Sequence, residues 1–324
     1  MLVILADGNS LEGDHYRIEE QFFKERDVEF RIEDCLTEES VIEKCKDADA
    51  VLSVYAPITE RVINELTNCK VLVRYGIGFD NIDVKAASNK GIPVCNIPDY
   101  SIPEVATHTI AMLLHFERRI GLLDRSVREG KWNPNEGFNS KRLSSLTLGL
   151  VGFGNIAQET AKFAKAFGMN IVTYDPFIPD DVVKKFGIEK IELDGLIEQA
   201  DYVSIHVPLN DGTFHLINQK RLERMKNTAV ILNTARGPIV DQDALVEAIK
   251  NGSIRGACLD VLEKEPVKVE DEILKLDNVV ITPHAAFNSV EAKERLHTRV
   301  CETAYDILTG GRPQNIVNKA AVLS

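Results

Sequence analysis

The sequence predicts an α/β chain with two parallel sheets, on three observations. Short apolar runs alternate with helical patterns from residue 1 to about 98. The alternation restarts at Leu146 with a strand, a glycine turn and a helix. Between the two stretches lies one long helical pattern, 102–120, apolar on most of its circumference. Strands that alternate with helices pair in parallel, because each crossover helix carries the chain back to the edge from which the next strand starts. A length of 324 residues suits two such domains better than one.

In chain order, 2–6, 28–32, 50–54, 71–74 and 94–96 read as strands, and 15–26, 38–46, 60–67 and 83–89 as the helices between them. A helix apolar nearly all round is buried, so 102–120 belongs at the junction of the two α/β units. The more polar stretch 121–145, with Trp132, reads as a helix followed by a loop. The second unit opens with strands 146–151 and 171–174, and continues with 202–207, 229–233, 256–261 and 279–282. Asn288 or Ser289 can cap a final helix, 290–309, which Gly310 and Gly311 end. The second sheet is complete by then, so this helix is expected to cross back and pack on the first domain, which becomes discontinuous.

Composition narrows the function. Hydrophobic residues at 44% and charged residues at 27% are those of a globular protein with a sizeable core. A net charge of −12 without a basic run excludes nucleic acid and anionic membrane as partners. An anionic substrate therefore has to be captured by local cations. Cys35, Cys45, Cys69, Cys95, Cys258 and Cys301 show no paired spacing. They read as small apolar residues of a reducing cytoplasm, with neither disulfides nor a metal site. The start, MLVILADG, is too short in apolar residues for a signal peptide, and no stretch is long enough to span a bilayer.

The turn Gly152-Phe153-Gly154-Asn155-Ile156-Ala157 matches the dinucleotide-binding fingerprint in its G-x-G-x-x-A form. Gly152 permits the tight turn, Gly154 the close approach of a pyrophosphate, and Ala157 close helix–strand packing. Free N–H groups at Asn155 and Ile156 open the helix, where phosphate is attracted. An ordinary strand–helix turn is the plainer alternative. The preceding strand, the following helix and Asp175, placed about 20 residues on as a ribose-binding acid must be, decide against it. Pro176 and Phe177 follow Asp175, and no basic residue does, which favours NAD over NADP.

Ligands of open α/β sheets bind beyond the carboxyl ends of the strands. There the chain places Arg236, Glu265 and His284, after three consecutive strands of the second unit. Singly, each has a plain explanation: a surface arginine, a solvated charged run, a structural histidine. Together they form a site for hydride transfer to a carbonyl next to a carboxylate. A bidentate arginine holds the planar anion. Histidine, with a pKa near 7, protonates the oxygen that gains charge. A carboxylate on the far ring nitrogen fixes the tautomer. In the first unit, Gly76-Ile77-Gly78 can expose N–H groups as a nest for a carboxylate or be an ordinary turn. Arg74 can reach a second anionic group or serve a structural ion pair. His108 reads as a buried, hydrogen-bonded residue, and His206 as a wall of the cofactor pocket.

With VRYGIGFDNID (73–83), GIPVCNIPDY (91–100), GLVGFGNIA (149–157), NTARGPIVD (233–241), LDVLEKEP (259–266) and TPHAA (282–286), the chain resembles the D-isomer-specific 2-hydroxyacid dehydrogenase family nearly end to end. Within it, the sequence is similar to the 3-phosphoglycerate dehydrogenase, hydroxypyruvate reductase and C-terminal-binding-protein branches. The resemblance implies a Rossmann NAD-binding domain, 99–287, inserted in a flavodoxin-like substrate domain, 1–98 plus 288–324, in a homodimer. It implies Arg236, Glu265 and His284 as the catalytic set. The formate-using branch replaces that glutamate; this sequence keeps it.

By the same resemblance, NAD contacts fall on Gly152, Gly154, Asn155, Ile156, Asp175, His206, Val207, Pro208, Thr213, Thr234, Ala235, Arg236, Asp260 and His284. Asp260 and the Ala235 carbonyl would hold the nicotinamide carboxamide. Substrate contacts fall on Arg74, Tyr75, Gly76, Ile77, Gly78 and Tyr100, with the amides of Ile77 and Gly78 on the carboxylate. Thr107, Phe287 and Asn288 depart from the family pattern and bear on the substrate. The regulatory C-terminal domain of longer phosphoglycerate dehydrogenases is expected to be absent. The expected activity interconverts a D-2-hydroxy acid and a 2-keto acid; an NAD-sensing corepressor and a dehydrogenase of another substrate such as phosphite are the rivals.

Overall fold

Every pair of neighbouring strands in the computed structural model is parallel. The structure describes residues 1–10, 16–136 and 140–322. They divide into two units, Met1–Ser101 with Ser289–Ser324, and Ile102–Asn288.

The first unit runs β1 (Leu2–Leu5), α1 (Arg17–Lys24), β2 (Glu29–Ile32), α2 (Glu38–Cys45), β3 (Ala50–Ser53), α3 (Glu60–Glu65), β4 (Val71–Arg74), α4 (Val84–Asn89) and β5 (Val94–Cys95). The strand order β2-β1-β3-β4-β5 is the flavodoxin-like doubly wound order. Central strands β3 and β4 are buried at every position, as strands covered by helices on both faces must be. Edge strand β2 (EFRI) has no fully buried residue, and its two charges discourage further pairing. Thr37, Thr59 and Asp83 cap the three helices after β2, β3 and β4.

The second unit runs α5 (Ile102–Arg118), α6 (Ile120–Arg128), β6 (Thr147–Val151), α7 (Asn155–Ala166), β7 (Asn170–Tyr174), α8 (Asp180–Lys185), β8 (Glu189–Lys190), α9 (Leu193–Gln199), β9 (Tyr202–Ile205), α10 (Gln219–Leu222), β10 (Val230–Asn233), α11 (Gln242–Lys250), β11 (Gly256–Leu259) and β12 (Val279–Ile281). Its order, β12-β11-β10-β9-β6-β7-β8, is the Rossmann order with β12 added at one edge. Period-two alternation divides the core. Val203 and Ile205 face Leu196, Ile197 and Leu245, while Tyr202 joins Leu113, Phe116 and Ala161 on the opposite face. The helix expected over 102–120 stops at Arg118. Arg119 is left-handed (φ 53°), and the Gly121 backbone closes on the His115 ring, so α6 leaves in a new direction.

The chain then returns to the first unit as α12 (Val290–Leu308) and α13 (Lys319–Val322). Ser289, not Asn288, caps α12, its hydroxyl accepting from Ala292 N at 2.9 Å. Helix α12 packs against α1, β3 and β4. Beyond it, Asn318 Oδ1 accepts from Val94 N at 2.9 Å and ties the chain's last segment to β5. Under α12 lies a buried polar cluster. Glu19 of α1 accepts from the Tyr75 hydroxyl at 2.9 Å and pairs with His297 Nδ1 of α12. These three residues are 0%, 2% and 6% exposed.

Candidate active site

In the second unit, β6 ends at Val151 and Gly152 turns the chain at φ +95°. A Cβ there would stand 2.7 Å from the His206 carbonyl oxygen, so no other residue fits the turn. The opposite holds at Gly154, where a Cβ would meet no atom within 4 Å. Gly154 and Asn155 are exposed, and the N-terminus of α7 has no side-chain cap. Uncapped helical N–H groups beside an open glycine surface suit a pyrophosphate. Asp175 accepts from Phe153 N at 2.9 Å, Phe177 N at 2.9 Å and Ile178 N at 3.2 Å. A carboxylate has about four acceptor positions, so three backbone bonds still leave room for a hydroxyl.

The loops after β10, β11 and β12 are stitched to one another. Asn233 Nδ2 donates to the Arg236 carbonyl at 2.8 Å, and its Oδ1 accepts from Ala235 N at 3.0 Å, which fixes the turn that carries Arg236. A Cβ on Gly237 would lie 2.0 Å from the Leu262 carbonyl, so this turn presses directly on the Leu262–Glu263 backbone. Leu262 N in turn donates to Glu265 Oε1 at 2.9 Å. The other oxygen of Glu265 is 2.7 Å from His284 Nδ1. Burial raises the Glu265 carboxyl pKa, but the His284 bond, the Leu262 amide and the Arg236 charge outweigh it and leave the pKa below the ordinary value. His284 itself sits at φ 52°, held by N–H bonds to the carbonyls of Asp260 (2.8 Å) and Thr282 (3.0 Å).

Asp260 is 2% exposed. Its carboxylate accepts from the Thr282 hydroxyl (2.6 Å), Ala285 N (2.8 Å) and Ala286 N (3.0 Å), so it folds the loop around His284. The Ala235 carbonyl accepts from the Arg236 guanidinium at 2.8 Å. Both groups expected at a carboxamide thus have intramolecular partners of their own. Val207 is half-buried beside Gly152, and the Pro208 carbonyl accepts from the Thr213 hydroxyl at 2.6 Å. His206 Nε2 pairs with the Ser204 hydroxyl at 2.8 Å, and burial lowers its pKa to about 4. It is therefore neutral at pH 7 and no proton carrier there. Thr234 meets the Thr109 hydroxyl at 3.0 Å, and His108 Nε2 meets Thr282 at 3.0 Å.

In the first unit, Gly76 has φ +136°. Where its Cβ would stand, the Arg74 guanidinium lies at 1.9 Å and the Tyr100 hydroxyl at 3.7 Å. Arg74 is also 5.9 Å from the Tyr55 ring centroid. The guanidinium thus folds over the turn that follows β4. Ile97 N donates to the Gly76 carbonyl (2.8 Å) and Asn96 Nδ2 to the Ile77 carbonyl (2.7 Å), which fixes the turn by its oxygens. Tyr75, expected at the substrate, has its hydroxyl buried on Glu19.

Asn233, Gly237 and Thr282 were not singled out by the sequence. Asn233 and Gly237 lie inside NTARG, where a polar residue ending an apolar strand and a glycine after the arginine were the available signals. Thr282 opens the TPHAA motif, but nothing local signals its bond to Asp260. Among the described residues no group of three or more His, Cys, Asp or Glu could hold a metal, and no helix is long and apolar enough to cross a membrane.

A family model described as D-isomer specific 2-hydroxyacid dehydrogenase, NAD binding domain, matches residues 110–286. A glyoxylate reductase of Korarchaeum cryptofilum is 42% identical over 289 residues, covering 87% of this chain and 86% of that one. A D-lactate dehydrogenase of Aquifex aeolicus, solved with NAD and lactic acid, superposes with a TM-score of 0.85 at 30% identity, covering 96% of each chain. An acyclic imino acid reductase solved with NADPH and D-Arg superposes with a TM-score of 0.88 at 29% identity, covering 98% of this chain and 100% of that one.

Proposed function

Because the chain belongs to the D-isomer specific 2-hydroxyacid dehydrogenase family, we propose that His284, Glu265 and Arg236 carry out its oxidoreductase chemistry. The activity is the NAD-dependent interconversion of a D-2-hydroxy acid and a 2-keto acid. NAD, when bound, supplies or accepts the hydride. The chain's own residues manage the proton and the charge. The observation that carries the reading is the 2.7 Å contact between His284 Nδ1 and Glu265 Oε2. With Nδ1 engaged by an ionised carboxylate, Nε2 is the nitrogen left to exchange a proton with the substrate oxygen. Glu265 keeps its charge because its second oxygen accepts from Leu262 N, and it stabilises the imidazolium. Arg236 clamps the substrate carboxylate.

The uncapped start of α7 and the open side of Gly154 would hold the pyrophosphate, and Asp175 a ribose diol. An anion at Asp175 repels a 2′-phosphate, so NAD is the cofactor we assign in preference to NADP. Asp260 and the Ala235 carbonyl serve a carboxamide only through the acceptor positions their own loops leave over. In the first unit, the Ile77 and Gly78 N–H groups suit a carboxylate, and Arg74 suits a second anionic group. The substrate we assign is a small 2-keto acid: glyoxylate, hydroxypyruvate, pyruvate or phosphohydroxypyruvate.

Ile120, Leu122, Val127 and Trp132 are exposed apolar residues on and just after α6. They support a homodimer formed through the second unit. The six free cysteines and the net charge of −12 support a cytoplasmic enzyme without a nucleic-acid partner. The decisive experiment is NADH oxidation on a panel of these four acids. Turnover of at least one is expected. Tight NADH binding with no turnover of any would overturn the reading in favour of an NAD-sensing interaction protein.

A further inference from the structure

Helix α5 runs antiparallel to the strands of the second sheet, and its side-chain contacts record the crossing. At its C-terminal end Glu117 pairs with Arg255, just before β11, and with the hydroxyl of Tyr202, the first residue of β9. In its middle the Met112 carbonyl accepts from Cys258 Sγ of β11 at 3.6 Å. Nearer its start, His108 and Thr109 reach Thr282 and Thr234, which directly follow β12 and β10. Residues 108 to 117 span about 13 Å of helix, close to the length of a four-residue strand. An α5 anchored at the amino ends of the strands therefore delivers two polar residues to their carboxyl rim.

The hydrogen directions follow from donor counting. The Thr282 hydroxyl gives its one proton to Asp260 Oδ1 at 2.6 Å, so His108 Nε2 carries hydrogen and donates to Thr282. Asp260 Oδ1 also lies 3.6 Å from His108 Nε2. Thr109 gives its proton to the Val105 carbonyl at 2.8 Å, so the Thr234 hydroxyl donates to Thr109. One chain, His108 to Thr282 to Asp260, ends on the carboxylate that folds the His284 loop. The other, Thr234 to Thr109 to Val105, ends on the α5 backbone and holds the loop of Arg236. The loops already touch through Gly237, Leu262 and Glu265, and α5 braces them a second time; an error of about 1 Å between catalytic groups costs on the order of 100-fold in rate.

We infer that α5 is a second strut on the spacing between the Arg236 and His284 loops, beside their direct contacts, with His108 and Thr109 as positioning residues, each holding one loop. The inference rests on the proposed catalytic roles of Arg236 and His284.

The test compares His108→Phe, which keeps a ring and removes the donor, with His108→Gln, whose Nε2 restores a donor. Thr109→Val and His284→Ala are measured beside them. His108→Phe is expected to lower kcat about 10- to 100-fold with the Kd for NADH and the Tm unchanged, and His108→Gln to recover most of the loss. Thr109→Val, which frees the other loop, is expected to raise KM for the keto acid more than it lowers kcat. Unchanged kcat in His108→Phe overturns the inference. So does a loss that tracks a fall in Tm and is no smaller in His108→Gln. If His284→Ala is inactive while both His108 variants are normal, the strut alone is wrong. If His284→Ala turns over normally, the catalytic reading falls first.

Discussion

Two turns at the carboxyl ends of the two sheets are held in different ways. In the second unit the carboxyl ends carry ionisable side chains, and each has a partner: His284 has Glu265, Asp260 the Thr282 hydroxyl, Arg236 the Ala235 carbonyl. In the first unit the turn after β4 has the Gly76 and Ile77 carbonyls bonded to Ile97 N and Asn96 Nδ2, and one arginine folded over a glycine. A proton-transferring group needs a defined tautomer and charge, so it needs a partner. The carboxylate nest we propose for the other turn needs only a fixed backbone, which its bonded carbonyls supply. Deeper in the first unit, under the same turn, lies the Glu19, Tyr75 and His297 cluster.

The largest expected effect tests the second unit. His284→Ala should lower kcat about 10²- to 10⁴-fold while NADH still binds, read by steady-state kinetics and fluorescence titration. Near-wild-type turnover would remove the residue from the mechanism. Next comes the buried cluster of the first unit. His297→Leu leaves Glu19 without its imidazole and should cost about 3–5 kcal/mol in urea unfolding, whereas the double replacement Glu19→Leu/His297→Leu should cost much less. Equal losses in the single and double variants would mean that packing, not charge, dominates.

A matched pair of glycines sharpens the contrast between the units. Gly76→Ala forces φ +136° on a residue with a Cβ and displaces Arg74, for a loss of about 1–3 kcal/mol in stability and a raised KM for the keto acid. Gly154→Ala meets no protein atom, so stability should hold while the Kd for NADH rises about tenfold, or 1.4 kcal/mol. A destabilised Gly154→Ala protein with unchanged NADH affinity would contradict the assignment of that surface to pyrophosphate.

The last effect appears only below neutral pH. His206 has a folded pKa of about 4 against an ordinary value of 6.5. The unfolded chain therefore binds the proton first as pH falls. The contribution of neutral His206 is complete above about 6.5 and is lost progressively as pH falls toward 4. His206→Gln should flatten that part of the stability–pH curve, and an unaltered slope would show that the depressed pKa is not a stability term.

Features set by neighbours in sequence were legible before the structure. Apolar runs marked the central strands, and the glycine pattern at 152–157 marked its turn, because both depend on local steric rules. Strand β8, two residues reading Glu-Lys at a sheet edge, has no such pattern. The break at Arg119 needs a left-handed non-glycine residue, which no local rule predicts. Arg236, Glu265 and His284 could be named because each follows a recognisable strand. Their supports, Asn233, Gly237 and Thr282, act across loops, and the work of Asp260 on its own loop is equally tertiary. The direction of Arg74 depends on the φ of Gly76, so spacing alone was silent on it.

The pairing of Glu19 with His297 also has a meaning in time. A ribosome makes Glu19 before any residue of the second unit and His297 after all of them. The second unit, Ile102–Asn288, is contiguous and complete while the carboxylate of α1 still lacks its imidazole. The first unit, although it begins the chain, is the last to close.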